Sequence, residues 1–484
     1  MLKFTSHARP SALLGVLAAL VMVPVPALAI PSPALVNEVK TARVRLQAET
    51  PLPVTPETVG GIYQARENGP SASALMTYDR LVKQVAEANR PAAGEAITRR
   101  GLWIRPYRGD LSGLHVLEVL DNAQAMGITE VYVEAFHNGK LHYKSPSNLF
   151  PLATPAGAAA QAGNTAPEVE LLKVYSREAR RRGMKVYAWL HTLNFGQAYG
   201  EAHPDQLVRD GFGQTSGATE KLSWRVSPTH PEVRRRLNLM AWELASSGMV
   251  DGIQLDYIRY PVRLKNGDID PSADPRNFWG YSAHQQQTFF AENPAYDTDA
   301  MRTYLSTGVA PDGRDVEYLD VWKRWLAREI EELIGGIRQR TEGRIRLSMA
   351  FFPNYYFHTN DARLQESKRW FYLFDDLSPM CYSYYLDTYP GPYGDYNINR
   401  ELETIEEGLA ALPAGKRPVL LPTLVEDAPG TPASASLHHR IFREQIAYLR
   451  GRMLDGAYPS LAGLGFFTYG WIFPEHEKRR SATP

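Results

Sequence analysis

Cysteine is nearly absent. The single thiol, Cys381, excludes an intramolecular disulfide and any cysteine-based zinc cluster; set in an apolar stretch, it reads as core. An excess of charge is also missing: 53 basic residues face 53 acidic ones. That balance removes the electrostatic case for nucleic acid and favours a neutral glycan or peptide partner. Long hydrophobic runs are lacking. The apolar stretch at residues 12–23 is shorter than the roughly 20 residues a spanning helix needs, and Pro24 and Pro26 interrupt it, so no membrane span is expected. Several motifs are absent too. No His-Glu-x-x-His, His-x-His pair or Gly-x-Ser-x-Gly occurs, and Arg105-Pro-Tyr-Arg-Gly is not a phosphate loop. Neither a metal nor a cofactor is expected.

Aromatic side chains are plentiful, with 26 Tyr, 17 Phe and 9 Trp; these suit both a large core and sugar-stacking surfaces. Lys3, His7 and Arg9 precede the apolar run, and Ala27-Leu28-Ala29 offers a small-residue cleavage site. Residues 1–29 are therefore expected to be a signal peptide, giving a secreted or periplasmic protein that starts near Ile30. No cysteine follows the run to carry a lipid anchor. Residues 30–98 read as a helical extension or linker, broken at 51–56, at Gly60-Gly61 and at 91–94. Loss of residues 31 to about 75 is expected to be tolerated.

From residue 99 onward strands and helices alternate, the sign of a parallel sheet with crossover helices. Strands are expected at 101–105, 129–135, 184–190, 250–256, 345–351, 377–383, 418–424 and 463–469, and helices at 114–126, 168–182, 232–247, 316–340, 398–412 and 437–450. Eight βα units predict an α/β fold, a (β/α)8 TIM barrel over 99–474 with long βα loops, followed by a tail at 475–484. The loop at 262–315, with Trp279, Tyr281, Phe289, Phe290 and Tyr296, is expected to fold over the barrel mouth.

In such a barrel chemistry gathers at the carboxyl ends of the strands. Asp251 and Asp256 lie roughly 16 Å apart along the fourth strand at about 3.3 Å per residue. Asp256 therefore belongs to the site and Asp251 to the stabilising face. The other strand ends offer Glu134 and Glu426 as candidate acids. Arg105, Asn138, His191, Arg259, Tyr260, Asn354, Tyr382, Tyr384, Tyr469 and Trp471 are the candidate substrate-binding residues. A set of carboxylates, aromatics and amides suits glycosidic hydrolysis, in which one carboxylic acid protonates the leaving oxygen and a second carboxylate supports the oxocarbenium-like centre or activates water. Glu134 is ranked ahead of Glu426 as the partner of Asp256. It is expected to be a proton donor whose pKa is raised by shielding from Tyr132 and Phe136; otherwise it pairs permanently with Arg105 or Arg259. Two other readings remain open: a non-catalytic carbohydrate-binding barrel, and a metal-dependent polysaccharide deacetylase using Asp256 and histidines from the set His137, His142, His191 and His203.

The chain also resembles glycosyl-hydrolase-like family 10 over about residues 99–473. The resemblance is carried by Arg100-Gly-Leu-Trp, Val131-Tyr-Val-Glu, Asn138-Gly139, Tyr143-Lys-Ser, Met184-Lys-Val-Tyr-Ala-Trp-Leu and Pro231-Glu-Val-Arg. Further carriers are Asp251-Gly-Ile-Gln-Leu-Asp-Tyr-Ile-Arg-Tyr-Pro, Pro379-Met-Cys-Tyr and Gly465-Phe-Phe-Thr-Tyr-Gly. It implies a (β/α)8 barrel, an important acid at Asp256 and a polysaccharide substrate of the bacterial envelope or surface, with peptidoglycan-like amino-sugar strands favoured. Many relatives carry two consecutive acids where this chain has Asp256 then Tyr257, so the partner carboxylate is expected from another strand.

Overall fold

The computed structural model describes residues 31–49, 71–91, 97–107, 109–110, 114–153, 170–218, 223–261, 264–265, 268–269, 274–352, 370–382, 398–425 and 435–482. Eight strand positions run parallel around a ring. In chain order they are Arg99–Ile104, Glu130–His137, Lys185–His191, Gly252–Asp256, Arg346–Phe351, Asp376–Pro379, the paired pieces Val419–Leu420 and Thr423–Leu424, and Gly463–Phe466. They are called strands one to eight. Each of the first six pairs with its successor in order, and strand eight returns to strand one.

Strand seven closes the ring in two halves. Val419–Leu420 pairs with strand six and Thr423–Leu424 with strand eight. Pro422 sits between the halves and has no N–H to give a ladder, although its carbonyl still accepts from the Gly465 amide at 2.9 Å.

Alternation along the strands sorts side chains between two buried faces. One set points out beneath the helices: Leu102 and Ile104, Val131 and Val133, Val186 and Ala188, Ile253 and Leu255, all essentially inaccessible. The other set fills the barrel. Trp103, Tyr132, Tyr187, Trp189 and Leu421 form a cluster of their own. Trp103 stacks on Tyr132 at 4.1 Å between centroids and donates across the ring to Gln254 Oε1 at 2.6 Å. Gly252 is required here, because a Cβ at that position would come within 2.3 Å of the Tyr187 ring.

The described segments on either side of the barrel are bound into this body. Helices Pro33–Glu49 and Ser71–Ala88 pack an apolar face that includes Leu46, Tyr78 and Val82 onto Leu117 of the first barrel helix, Leu114–Ala125. Buried Asp121 on that helix accepts Arg43 Nη1 at 2.7 Å, Tyr78 Oη at 2.8 Å and Arg182 Nη2 at 2.9 Å. Removing residues 31–75 would take Arg43 out of a buried ion cluster and Leu46 out of the packed face, so the helices are structural rather than a dispensable preface. The expected tail is likewise a helix, Pro474–Ala482. Its Arg480 is fully buried and bonds Asp110 Oδ1 and Oδ2, Tyr175 Oη and the carbonyl of Arg105.

The rings of the insertion after strand four are packed inward. Phe289 packs edge-on against Trp322 and Trp325, and Tyr281 tilts onto Trp322. Trp279, Tyr281, Phe289 and Phe290 are buried. They extend the main hydrophobic core over helix Asp315–Thr341, because large apolar rings gain from burial. Among the described residues no helix is long and apolar enough to cross a membrane.

Candidate active site

The carboxyl ends of strands one to four place Arg105, Glu134, His191 and Asp256 together. Glu134 lies beside Trp189 in the register of strands two and three, and His191 lies beside Asp256 in that of strands three and four. Strands two and four are separated by one strand, so their backbones stand roughly 10 Å apart. Strand three bridges the two acids. His191 Nε2 is 3.3 Å from Glu134 Oε2, and Trp189 Nε1 donates to Asp256 Oδ2 at 2.9 Å.

Glu134 is 2% exposed and ringed by donors. Arg105 Nε reaches Oε2 at 2.9 Å and His137 Nδ1 lies 3.4 Å from Oε1, with His142 Nε2 at 4.0 Å. Burial alone would raise its pKa. Contacts from His137 and His191 and the charge of Arg105 override it and hold the carboxyl well below the usual carboxylate range. The expected raised pKa is therefore corrected: Glu134 is an ionised partner of Arg105. Burial pushes His191 down, against the pull of Glu134, and His142 is lowered for the same reason.

Asp256 is held differently. Its Oδ1 accepts the Tyr257 amide at 2.7 Å and its Oδ2 accepts the Trp189 indole. Among the described residues no arginine or lysine pairs with it. The next residue, Tyr257, has φ of 56° and ends the strand abruptly. Its ring stacks on His191 at 4.7 Å, with Arg225 at 4.5 Å and Arg259 at 5.5 Å from its centroid. Asp251 sits at the opposite end of the same strand. It accepts the Val186 amide at 2.8 Å and faces Arg180 at 3.4 Å.

Aromatic rings close one side. Phe467 is the hub: it stacks on Tyr382 at 5.4 Å and meets Trp471 edge-on at 5.4 Å and Trp189 edge-on at 5.8 Å. Arg105 lies over Trp189 at 5.4 Å, and Arg259 over Phe352 at 5.3 Å. Phe467 and Trp189 were missing from the expected site. Counting by twos from Gly463 and Gly465, or back from His191, would have placed both on the inner face.

Two expected contact residues, Tyr469 and Tyr260, stand elsewhere. Tyr469 is fully buried in the short helix Tyr469–Ile472, where its hydroxyl meets Asn122 and His476. Strand eight stops at Phe466, so strand alternation no longer aims Tyr469 at the mouth. Tyr260 is 1% exposed and its hydroxyl accepts Gln285 Nε2 at 3.0 Å beneath the insertion. Asn138 is the exposed first residue of a two-residue hairpin turn. Its φ of 49° and the 67° of Gly139 are the geometry that an Asn-Gly pair favours between Glu130–His137 and the short strand Lys140–Leu141. Asn354, Tyr384 and Glu426 lie outside the described residues.

Among the described residues the mouth holds no set of three metal-ligand atoms close enough to share an ion; one such group, His115, Glu118 and His476, lies outside it. The mouth thus offers an ionised carboxylate, a second carboxylate without a cation, guanidinium donors and a wall of rings. This set can bind a sugar by stacking and hydrogen bonding and can supply both carboxylates of glycosidic hydrolysis.

Solved structures similar to the chain include the PgaB (BpsB) glycoside hydrolase domain from Bordetella bronchiseptica. It matches at 14% identity and TM-score 0.47 over 80% of this chain and 99% of that one. A β-galactosidase from the haloarchaeon Halorubrum lacusprofundi matches at 13% and 0.48 over 76% of this chain and 52% of that one. A glycoside hydrolase family 18 N-acetylglucosaminidase from Paenibacillus barengoltzii matches at 12% and 0.35 over 78% and 99%. The barrel assignment rests on the strand pairing itself. No curated protein matches the chain. The family described as Glycosyl hydrolase-like 10 matches residues 113–399. With more than half of its length inside that match, the protein belongs to the glycosyl hydrolase-like 10 family and has the hydrolase role that membership carries.

Proposed function

We propose that the protein is an exported glycoside hydrolase that cleaves a bacterial envelope or surface polysaccharide, amino-sugar strands of the peptidoglycan kind foremost. The observation that carries this reading is the unequal pair of carboxylates in one aromatic-walled mouth. Asp256, without a cationic partner among the described residues, is assigned the proton delivered to the leaving glycosidic oxygen. Glu134, ionised by Arg105 and its histidines, is assigned the permanent negative charge that supports the oxocarbenium-like centre. Phe467, Tyr382 and Trp471 offer faces to sugar rings, and Arg105 and Arg259 offer donors to hydroxyl and acetamido oxygens. Export is supported by the basic start, the apolar run and Ala27-Leu28-Ala29.

The test is incubation with peptidoglycan glycan strands, chitosan-like polymers and exopolysaccharides, with products read by mass. Shortened chains made by the native protein and not by Asp256→Asn support the reading. Equal cleavage by the variant, or loss of acetyl groups without chain shortening, overturns it. Protein retained inside the cell with Met1 as its amino terminus would overturn export.

A further inference from the structure

Outside the mouth, three metal-ligating side chains converge where the first barrel helix meets the C-terminal helix. His115 and Glu118 stand one turn apart on Leu114–Ala125, and His476 faces them from Pro474–Ala482. His476 Nε2 is 3.1 Å from His115 Nδ1 and 3.2 Å from Glu118 Oε2. All three ligand atoms lie within 4.8 Å of one another. Bonds of about 2.0–2.2 Å from imidazole nitrogen and carboxylate oxygen to a tetrahedral zinc give donor–donor edges of roughly 3.3 Å, close to the two separations found here. We propose that His115, Glu118 and His476 form a divalent-metal site of the zinc class.

The surroundings support coordination. His476 Nδ1 is 2.6 Å from the Tyr469 hydroxyl, which itself accepts Asn122 Nδ2 at 2.8 Å. Such a partner on the far ring nitrogen fixes the orientation of a ligating histidine. Arg479 occupies the other carboxylate oxygen of Glu118 at 3.1 Å, leaving Oε2 for the cluster. His115 and Glu118 are only partly buried, so water completes the fourth position. The ion pins a helix whose Arg480 bonds the carbonyl of Arg105, the residue paired with Glu134. Its function is that of a staple behind the mouth.

The experiment uses the full mature chain without a histidine tag, stripped of metal and titrated with zinc by calorimetry. Cobalt substitution reports tetrahedral geometry through visible absorption. One zinc per chain and a melting rise of roughly 3 °C at a hundredfold excess over Kd are expected. His115→Ala and Glu118→Gln, both at partly exposed positions, each lose at least about tenfold in affinity, and Tyr469→Phe loses about tenfold. His137→Ala, in the mouth, binds zinc as the native chain does. The proposal is overturned if no stoichiometric zinc binds, if His115→Ala and Glu118→Gln both keep native affinity, or if His137→Ala is the variant that loses it.

Discussion

The two ends of the barrel interior carry similar side chains and do opposite things with them. At the amino end, Arg99 bonds Glu130 through Nε and Nη2 at 2.9 Å each and reaches Asp376 Oδ1 at 2.5 Å. Arg346 holds the same Asp376 at 2.6 and 2.8 Å, with Tyr187 Oη at 3.1 Å. Two cations balance two anions, and each acid has a cation. Burial would raise the pKa of Asp376, but the bonds from Arg346 and Arg99 hold it below the usual range. At the carboxyl end one carboxylate, Glu134, is matched in the same way, and the other, Asp256, has no arginine or lysine partner among the described residues. A closed charge network specifies and stiffens the fold, whereas a carboxylate held by neutral N–H donors is not locked into an ion pair.

The comparison breaks most sharply at Asp256. Asp256→Asn is expected to lower turnover about a hundred- to ten-thousandfold, with melting changed by no more than about 2 °C. Kinetics and calorimetry on one preparation check both halves, and a variant that loses stability instead would erase the distinction between the ends. Asp376→Asn is the converse. It leaves Arg99 and Arg346 short of an anion inside the barrel, at a cost of about 3–5 kcal/mol in denaturant unfolding, while turnover of the folded fraction stays near native.

Glu134→Gln sharpens the division within the mouth. The rate should fall, but the alkaline limb of the pH profile should survive, since Glu134 is ionised throughout that range. Loss of that limb would make Glu134 the donor.

A smaller effect concerns the mouth histidines. His142 and His191 have pKa values lowered by burial, so the unfolded chain binds more protons than the folded one just below pH 6.5. Stability should then fall as pH drops through that region, by at most about 1.4 kcal/mol per pH unit for each histidine. His142→Gln should flatten the fall in a melting series from pH 7.5 to 5. Asp251→Asn comes last. Its partly exposed pairing with Arg180 and its bond to the Val186 amide predict a loss of about 1 kcal/mol or less, with full activity.

The sequence by itself determined the succession of strands and put Asp251 and Asp256 at opposite ends of strand four, because both follow from local signals. Apolar runs of strand length recur between helical periods, and a rise of about 3.3 Å per residue puts Asp251 and Asp256 at opposite ends whatever the rest of the chain does. It also placed Arg105, Glu134, His191 and Arg259 at the mouth, since strand ends are countable. Tertiary structure decided the state of Glu134, whose charge depends on Arg105 and His191 arriving from the neighbouring strands to join its own strand's His137. It likewise moved Tyr469 and Tyr260 into the core and brought Phe467 forward, because where a strand stops and which way a ring turns are settled by packing against neighbours distant in sequence. The meeting of His115 with His476, 361 positions later, belongs to the same class. No local pattern records it, since two helices must first dock before their donors share a point.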